Sequence, residues 1–195
     1  MRWDTLPKIQ LPESDSGEYA FAASNSNFKI IGDHFWFASG GMKARVYHSS
    51  DKGASWESFD TPIQEGGAMT GIYTMDFYDA QTGIIAGGNW NDIMDNSQNM
   101  AVTSDGGKTW ALVADGENPN YTSCVQYIPN TNGKELITLN SRAATGIGHM
   151  MYSNDGGYHW QELNGKKFLS IHFSSRNYAW MSGVNKISRL DIKNE

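Results

Sequence analysis

Short apolar runs of four to seven residues recur along the whole chain, separated by Gly, Asn, Asp and Ser. No run shows the sustained 3.6-residue period of an amphipathic helix. Three units of about 50 residues carry four runs each, and a fourth unit carries three. Repeated groups of four short strands joined by turn residues are typical of β-propeller blades. The chain is therefore predicted to be all-β, with about four blades of four-stranded antiparallel sheet. The predicted strands are Tyr19–Ser24, His34–Ser39, Ala44–Ser49, Trp56–Asp60, Ile72–Tyr78, Gly83–Ala86, Met100–Thr103, Trp110–Val113, Cys124–Ile128, Glu135–Leu139, His149–Ser153, Trp160–Leu163, Phe168–Phe173, Tyr178–Ser182 and Lys186–Asp191.

Three segments of eight residues align without gaps and read Ser/Thr-x-Asp-x-Gly-x-x-Trp. They are Ser49–Trp56, Thr103–Trp110 and Ser153–Trp160, and their aspartates lie 54 and 50 residues apart. A fixed period in this range is the signature of repeat architectures such as propellers. Each segment is predicted to be the turn between the third and fourth strands of one blade.

Each position that the three segments share has a structural role. The Asp carboxylate and the Ser/Thr hydroxyl can accept backbone N–H bonds in a tight turn. The Gly provides a positive φ, and the Trp packs between neighbouring sheets. A calcium loop is excluded because the spaced Asp/Asn ligands and distal Glu of an EF-hand are absent. We therefore predict structural roles for Ser49, Asp51, Gly53, Trp56, Thr103, Asp105, Gly107, Trp110, Ser153, Asp155, Gly157 and Trp160.

The repeat predicts one propeller domain, or a propeller fragment, over residues 1–195. The predicted segments are an outer strand at 2–6 and blades at 18–60, 71–114, 123–164 and 167–192. The segment at 2–6 would complete the last blade and close a ring, or else end the preceding blade of a longer propeller of about seven blades. We expect the second arrangement, in which open blade edges would favour self-association.

Composition and charge exclude several classes of partner. The formal net charge is −6 without a basic run, so a nucleic-acid groove is not expected. No stretch of 18 apolar residues predicts a membrane span. The single cysteine, Cys124, excludes an internal disulfide and a multi-cysteine metal site. Residues 1–11 lack the apolar core of a signal peptide. The compartment stays open, with an extracytoplasmic location expected for a fragment of a longer precursor.

The repeated turns resemble those of the Asp-box, or bacterial-neuraminidase-repeat, β-propeller superfamily. Within it the chain is most similar to bacterial propellers related to photosystem II stability/assembly factors, often labelled oxidoreductase or glycosyl hydrolase. This resemblance implies a propeller, with its usual site on the face opposite the Asp boxes. It implies no particular activity, because one fold hosts many functions. Besides the three turns, the similar residues are Gly17–Ser24, Gly40–Gly41, Ala44–Val46, Thr61–Pro62, Gly71–Tyr73 and Gly87–Gly88.

The face opposite the boxes is expected to carry the functional site, built from second-to-third-strand loops and blade-to-blade connections. The longest such loop, Asn89–Asn99, combines an aromatic ring, two carboxylates and several amides, a set suited to sugars or peptides. A solvated hairpin insertion without function is the alternative. The other predicted loops are Gly40–Lys43, Pro62–Thr70, Asp115–Thr122, Ser141–Gly148 and Val184–Asn185. The predicted contact residues are Arg45, Trp90, Asp92, Tyr121 and Arg142.

A sialidase would need three arginines around the substrate carboxylate, a tyrosine nucleophile and an acid/base. Only Arg45 and Arg142 fall near the expected face, so that machinery is predicted to be incomplete. The sequence lacks cofactor-binding fingerprints and histidines at metal-ligand spacing, so neither cofactor nor metal is expected. The leading hypothesis is a non-catalytic module that binds a protein or glycan. The alternative is a sialidase-like glycoside hydrolase using Glu65 with Asp92 or Asp95. For Arg45, the structural alternative to a role in substrate binding is an ion-paired residue beside the central channel.

Overall fold

The computed structural model describes residues 5, 7, 10–21, 24, 26–117, 119–142, 147–163 and 168–192, with the backbone alone at 141, 142, 147 and 148. Seventeen strands are present in these ranges. They are β1 (Glu18–Tyr19), β2 (Phe28–Ile31), β3 (His34–Ala38), β4 (Gly40–Gly41), β5 (Arg45–Ser49), β6 (Glu57–Asp60), β7 (Thr70–Phe77), β8 (Gly83–Asn89), β9 (Met100–Thr103), β10 (Ala111–Leu112), β11 (Cys124–Tyr127), β12 (Leu136–Arg142), β13 (Ile147–Ser153), β14 (Gln161–Leu163), β15 (Ser170–Ser175), β16 (Tyr178–Gly183) and β17 (Lys186–Asp191).

Four antiparallel sheets are arranged as a four-blade β-propeller, and the predicted fold class is confirmed. The first sheet has the order β2-β3-β5-β6 and the third has the order β11-β12-β13-β14. The second contains β7-β8-β9-β10 and is extended at its inner edge by β4 and β1. The last sheet consists of β15-β16-β17 within the described ranges. The blade limits predicted from the sequence stay predictions, and the outer strand at 2–6 lies, apart from Thr5, outside the described residues.

Apolar side chains fill the space between consecutive sheets, because alternate residues of each strand point to opposite faces. Between the first and second sheets lie Trp36, Val46, Met75, Phe77 and Ile85, all almost fully buried. Similar clusters fill the next two spaces. They contain Ile84, Met100, Val125 and Leu136, and then Ile137, Leu139, Ile171, Phe173 and Met181.

Side chains on the inner strands also bond to the backbone of the next inner strand. Thr74 Oγ1 accepts the N–H of Val125 at 3.0 Å, and Asp76 Oδ2 accepts the N–H of Tyr127 at 2.8 Å. The buried Asp76 also pairs with Lys29 Nζ at 2.5 Å. Burial raises the pKa of Asp76, and the Lys29 charge opposes this rise. These bonds tie the inner strands of three sheets together around the central axis.

The structure corrects the prediction for the inner strand of the first unit. Phe28–Ile31 pairs with His34–Ala38, so the strand predicted at Tyr19–Ser24 is wrong. Glu18 and Tyr19 instead pair with Gly41 and Gly40 at the edge of the second sheet. This arrangement depends on a close approach of glycine backbones, since a Cβ on Gly40 would lie 2.8 Å from the Thr70 carbonyl oxygen.

The hairpin near the end of the third unit also differs from the prediction. Strand β12 continues to Arg142 and β13 begins at Ile147, so most of the loop predicted at Ser141–Gly148 is strand or lies outside the described residues. No helix in the described ranges is long and apolar enough to cross a membrane.

The three Ser/Thr-x-Asp-x-Gly-x-x-Trp turns join the third and fourth strands of the first three sheets and share one pattern of hydrogen bonds. In the second turn, the Gly107 N–H and the Asp105 carboxylate both bond to the Thr103 hydroxyl, at 3.0 and 2.8 Å. The same carboxylate accepts the Thr109 N–H at 3.0 Å and its hydroxyl at 2.6 Å. The equivalent bonds occur in the other turns, where Ser55 and His159 stand in place of Thr109. The residue directly before the Trp therefore completes each turn.

The Gly and Trp positions have the geometry that the repeat requires. Gly53, Gly107 and Gly157 have φ values of 86°, 91° and 99°, which residues with a Cβ rarely adopt. The indole N–H groups of Trp110 and Trp160 donate to the carbonyl oxygens of Gly107 and Gly157, both at 2.9 Å. These two indoles are thereby fixed against their own turns, whereas the buried Trp56 Nε1 has no hydrogen-bond partner among the described residues.

The substitution Gly87→Ala tests the close packing at the inner edge of the second sheet. A Cβ there would lie 1.9 Å from the Gly71 carbonyl oxygen, which is backbone and cannot move aside. We expect a loss of about 3 kcal/mol or more in the free energy of unfolding, measured by urea denaturation. Gly67→Ala is the control, because its nearest contact would be the Thr70 methyl at 3.3 Å. Equal losses in both variants would contradict the packing described.

The turn carboxylates predict an acid-dependent loss of stability. Hydrogen bonds, chiefly from Ser55, lower the pKa of Asp51 from 3.8 to about 2. Slight burial opposes the shift at Asp105 and Asp155, but hydrogen bonds again bring their pKa values to about 2. Since the folded pKa is the lower one, this stabilisation is complete above about pH 4 and is lost as the pH falls through about 2.

Asparagine at all three turn positions should lower stability at pH 7 and flatten the dependence of the unfolding free energy on pH between 4 and 2. Urea denaturation at a series of pH values measures both effects. Asp60→Asn, on an exposed strand position, controls for the loss of charge alone. An unchanged pH dependence in the triple variant would exclude the proposed contribution.

Candidate functional site

The face opposite the three turns is built by the connections between blades and by the second-to-third-strand loops. In an antiparallel sheet these connections leave from the strand ends remote from the third-to-fourth-strand turns. The described segments on this face are 39–44, 61–69, 90–99, 113–117, 119–123 and 184–185. They are called the loop face below.

The long loop at 90–99 is anchored to both neighbouring connections. Gln64 donates its N–H to the Gln98 carbonyl oxygen at 3.0 Å and its side-chain Nε2 to Asp95 at 2.8 Å. On the other side, the Tyr121 N–H donates to the Ile93 carbonyl oxygen at 3.3 Å. Bonds on both sides hold this loop as part of a continuous surface.

Five aromatic rings form a continuous row beneath the loop face. Tyr19 meets Phe21 edge-on with centroids 5.4 Å apart, and Phe21 stacks on Tyr73 at 4.0 Å. Tyr73 contacts Tyr121 at 4.9 Å, and Tyr121 contacts Trp90 at 5.5 Å, both edge-on. Tyr19 is exposed at one end, Trp90 is half-buried at the other, and Tyr121 is buried between them. The predicted contact residues Trp90 and Tyr121 thus belong to one cluster.

Exposed apolar side chains flank the aromatic row. Met42 is 50% exposed and follows Gly41, which pairs with Glu18 in the strand that contains Tyr19. Met94 is 66% exposed in the loop 90–99, and its sulfur lies 3.6 Å from Nδ2 of Asn120, the residue before Tyr121. Val184 is exposed on the corresponding loop of the last sheet. Met and aromatic side chains are enriched where proteins contact partners, because they offer large, adaptable apolar surface.

Arg45 is engaged by Glu18, whose side chain is inaccessible to solvent. Its Nε and Nη2 atoms both donate to the Glu18 carboxylate, the first at 3.0 Å. The hydroxyls of Ser39 and Tyr47 donate to the same carboxylate at 2.6 and 2.7 Å. Burial alone would raise the pKa of Glu18, but the bond from Arg45 and the other donors lower it to about 2. The charge of Arg45 is therefore neutralised within the protein.

An open cleft of about 240 Å³ lies beside this ion pair, between the segment 11–20 and the first sheet. Its lining includes Leu11, Pro12, Tyr19, Phe37 and Tyr47. The cleft borders the Tyr19 end of the aromatic row, and Glu18 of the ion pair is among its lining residues.

The candidate catalytic carboxylates hold the loop face together. Glu65 accepts the Ala44 N–H at 2.8 Å and pairs with Lys43 Nζ at 3.0 Å. Asp95 accepts the hydroxyl and the N–H of Ser97, and these bonds lower its pKa. A general acid needs the opposite shift. Asp92 is exposed and accepts the Met94 N–H at 3.3 Å.

Two further sequence expectations concern Arg142 and metal binding. Arg142 ends β12, and its backbone pairs with Ile147, but its side chain lies outside the described residues. Within the described ranges, no group of three or more His, Cys, Asp or Glu side chains is placed to hold a metal ion.

Cys124 is a buried free thiol on β11, and burial raises its pKa.

Sequence reasoning missed Glu18, Met42 and Met94. Glu18 stands in the segment Gly17–Ser24 that carries the family resemblance, but its contact with Arg45 spans 27 residues and has no local signature. The exposure of the two methionines depends on how the loops fold back, so the sequence offers no signal for it.

Comparison with solved structures finds propeller proteins. A GH74 enzyme of Niastella koreensis matches with a TM-score of 0.57 and 15% identity, over 76% of this chain and 24% of that one. An ancestral GH74 enzyme matches with a TM-score of 0.57 and 13% identity, over 89% and 24%. YCF48 bound to D1 peptide matches with a TM-score of 0.50 and 16% identity, over 89% and 58%.

These similarities show the fold alone, because all three identities are low. The chain spans less than two thirds of the length of each of these proteins. No protein-family model and no curated protein matches it.

The substitution Arg45→Met tests the buried ion pair. It would leave the Glu18 carboxylate inaccessible and without its cation, and we expect a loss of about 3–5 kcal/mol in unfolding free energy. The double variant with Glu18→Gln should lose less than Arg45→Met alone, because the charge that lacks a partner is also removed. Urea denaturation measures both. Lys43→Met, which breaks the exposed pair with Glu65, is the control and should change stability by less than about 1 kcal/mol. If the double variant were the less stable one, the ion pair would not explain the effect.

Proposed function

We propose that this chain is a non-catalytic binding module of the Asp-box superfamily that recognises a protein segment through its loop face. The contact surface consists of Tyr19, Met42, Trp90, Asp92 and Met94. Arg45 and Tyr121 support it from beneath, and Arg142 is a further contact residue predicted from the sequence.

The anchored aromatic row carries this proposal. A row of five touching rings with exposed methionines at both ends offers apolar contact area that is already ordered. Binding to an ordered surface avoids the entropic cost of fixing loops and side chains. Such surfaces suit protein segments, which bring apolar side chains of their own. The YCF48 structure with D1 peptide supports the proposal, since it is a solved propeller of similar fold that holds a peptide.

The engagement of the carboxylates supports a role without catalysis. Glu65 and Asp95 accept hydrogen bonds that fix the loops, and the pKa of Asp95 is lowered. A glycoside hydrolase needs one carboxyl that stays protonated near neutral pH and a second that is ionised. The lowered pKa of Asp95 is the opposite of what an acid catalyst needs, and the contacts of Glu65 suit a structural role.

The alternative function is a glycoside hydrolase that uses Glu65 with Asp92 or Asp95. Its support is the similarity to two GH74 enzymes, which concerns the fold. Trp90 would then stack on a sugar ring.

A phage-displayed random peptide library, a glycan array and a set of 4-nitrophenyl glycosides separate these functions. We expect saturable binding of selected peptides, which Met94→Asp or Met42→Asp weakens at least about tenfold by placing a charge in the apolar contact. Tyr158→Asp is the matched control, because Tyr158 is exposed on the third turn at the opposite face. Binding only to array glycans would replace the protein ligand by a carbohydrate. Glycoside turnover that Glu65→Gln abolishes would overturn the binding function.

A further inference from the structure

The last sheet presents an apolar face to solvent, in contrast to the covered faces between sheets, and so does the part of the first sheet that the segment 11–20 leaves uncovered. On the first sheet, Phe28 and Ile30 are 48% and 52% exposed. On the last sheet, Trp180 and Ile187 are 53% and 76% exposed, and Tyr178 lies on the same face. These two surfaces are called the leading face and the trailing face.

The contact of the first sheet with the second shows how a trailing face is covered. Trp36 lies in the second strand of the first sheet and is fully buried. Its ring stacks on Phe77 of the second sheet with centroids 4.1 Å apart. Its indole N–H donates at 2.8 Å to the carbonyl oxygen of Gly106, in the Asp-containing turn of that sheet. A second-strand Trp thus docks on the turn of the following sheet.

Trp180 has the same position on the last sheet. It lies in the second strand and points to the trailing face, while its neighbours Ala179 and Met181 are buried against the third sheet. His172 and Arg189 pair with it across the strands and share its face. Among the described residues, no further sheet covers Trp180.

The leading face carries the matching acceptor. In the first turn, Lys52 aligns with Gly106, and both residues have positive φ, 62° and 80°. Because the two turns share their hydrogen bonds, the Lys52 carbonyl occupies the position that accepts from Trp36 in the second turn. Ile30 has the same position in the first sheet as Phe77 in the second, because Ile30 pairs with Phe35 and Phe77 pairs with the equivalent Gly83. Ile30 would therefore lie beneath the indole of a docked Trp, as Phe77 lies beneath Trp36.

We propose that the trailing face of one copy binds the leading face of a second copy, with Trp180 of each on the first turn of the other. Two such contacts related by a two-fold axis join the four sheets of each copy into a ring of eight. Eight blades lie within the usual range for propellers, and a two-fold axis is the commonest symmetry of homo-oligomers. A second copy fits because this chain supplies both halves of the contact, the indole and the turn. The ring also places both loop faces on one side.

Sedimentation velocity of the full chain over a range of concentrations tests this contact. We expect a monomer–dimer equilibrium that ends at the dimer, since a two-fold ring is closed. Trp180→Glu should weaken dimerisation by about 30-fold, as expected for a central Trp. Tyr158→Glu, an exposed aromatic on neither face, should leave it unchanged. Circular dichroism verifies that both variants fold.

A mixing experiment distinguishes this head-to-tail contact from a symmetric contact of like faces. Ile30→Glu places a charge on the leading face and Trp180→Glu places one on the trailing face. Each contact joins one face of each kind, so in a dimer of either variant alone both contacts carry a substitution. An equimolar mixture restores one intact contact and should dimerise more strongly than either variant alone. A wild-type monomer at every concentration, wild-type affinity in Trp180→Glu, or no gain on mixing would each overturn the proposal.

Discussion

The structure depends on one constraint, that every sheet of a propeller has two apolar faces and each face requires a neighbour. Burial of Trp36, Phe77 and the clusters that follow satisfies this requirement between consecutive sheets. The hydrogen bonds of Thr74 and Asp76 to the next inner strand then fix how far the sheets rotate relative to one another. The same constraint makes the two outermost faces the places where a further contact stabilises the molecule most.

The sequence predicted those parts of the fold that local interactions determine. Each Asp-containing turn closes its hydrogen bonds within seven residues, so the positions of Asp105, Gly107 and Trp110 can be read from spacing alone. The inner strand of the first sheet could not be read in this way. Tyr19–Ser24 and Phe28–Ile31 are both short and largely apolar, and pairing across the glycine contacts at Gly40 decided between them. That contact joins residues of different units, which a local pattern does not encode.

The candidate site shows the same division between local and distant information. The topology of a propeller blade was sufficient to place Trp90, Asp92 and Tyr121 on one face. The sequence offered an ion pair as one role for Arg45 but did not identify its partner, which is Glu18, nor the contacts of Glu65 with the Ala44 N–H and Lys43. From composition alone, Arg45 and Glu65 would both be candidates for substrate binding or catalysis. Their partners show that they hold the loops in place.

Anchoring of the loops and binding through them are connected physically. A loop that is tied on both sides by Gln64 and Tyr121 loses little freedom when a partner arrives, so more of the contact energy appears as affinity. Asp95, which takes part in this anchoring, accepts hydrogen bonds that lower its pKa, and a lowered pKa opposes proton donation. The hydrogen bonds that hold the loop 90–99 in place and the lowered pKa of Asp95 therefore have a common origin in the contacts of this one carboxylate.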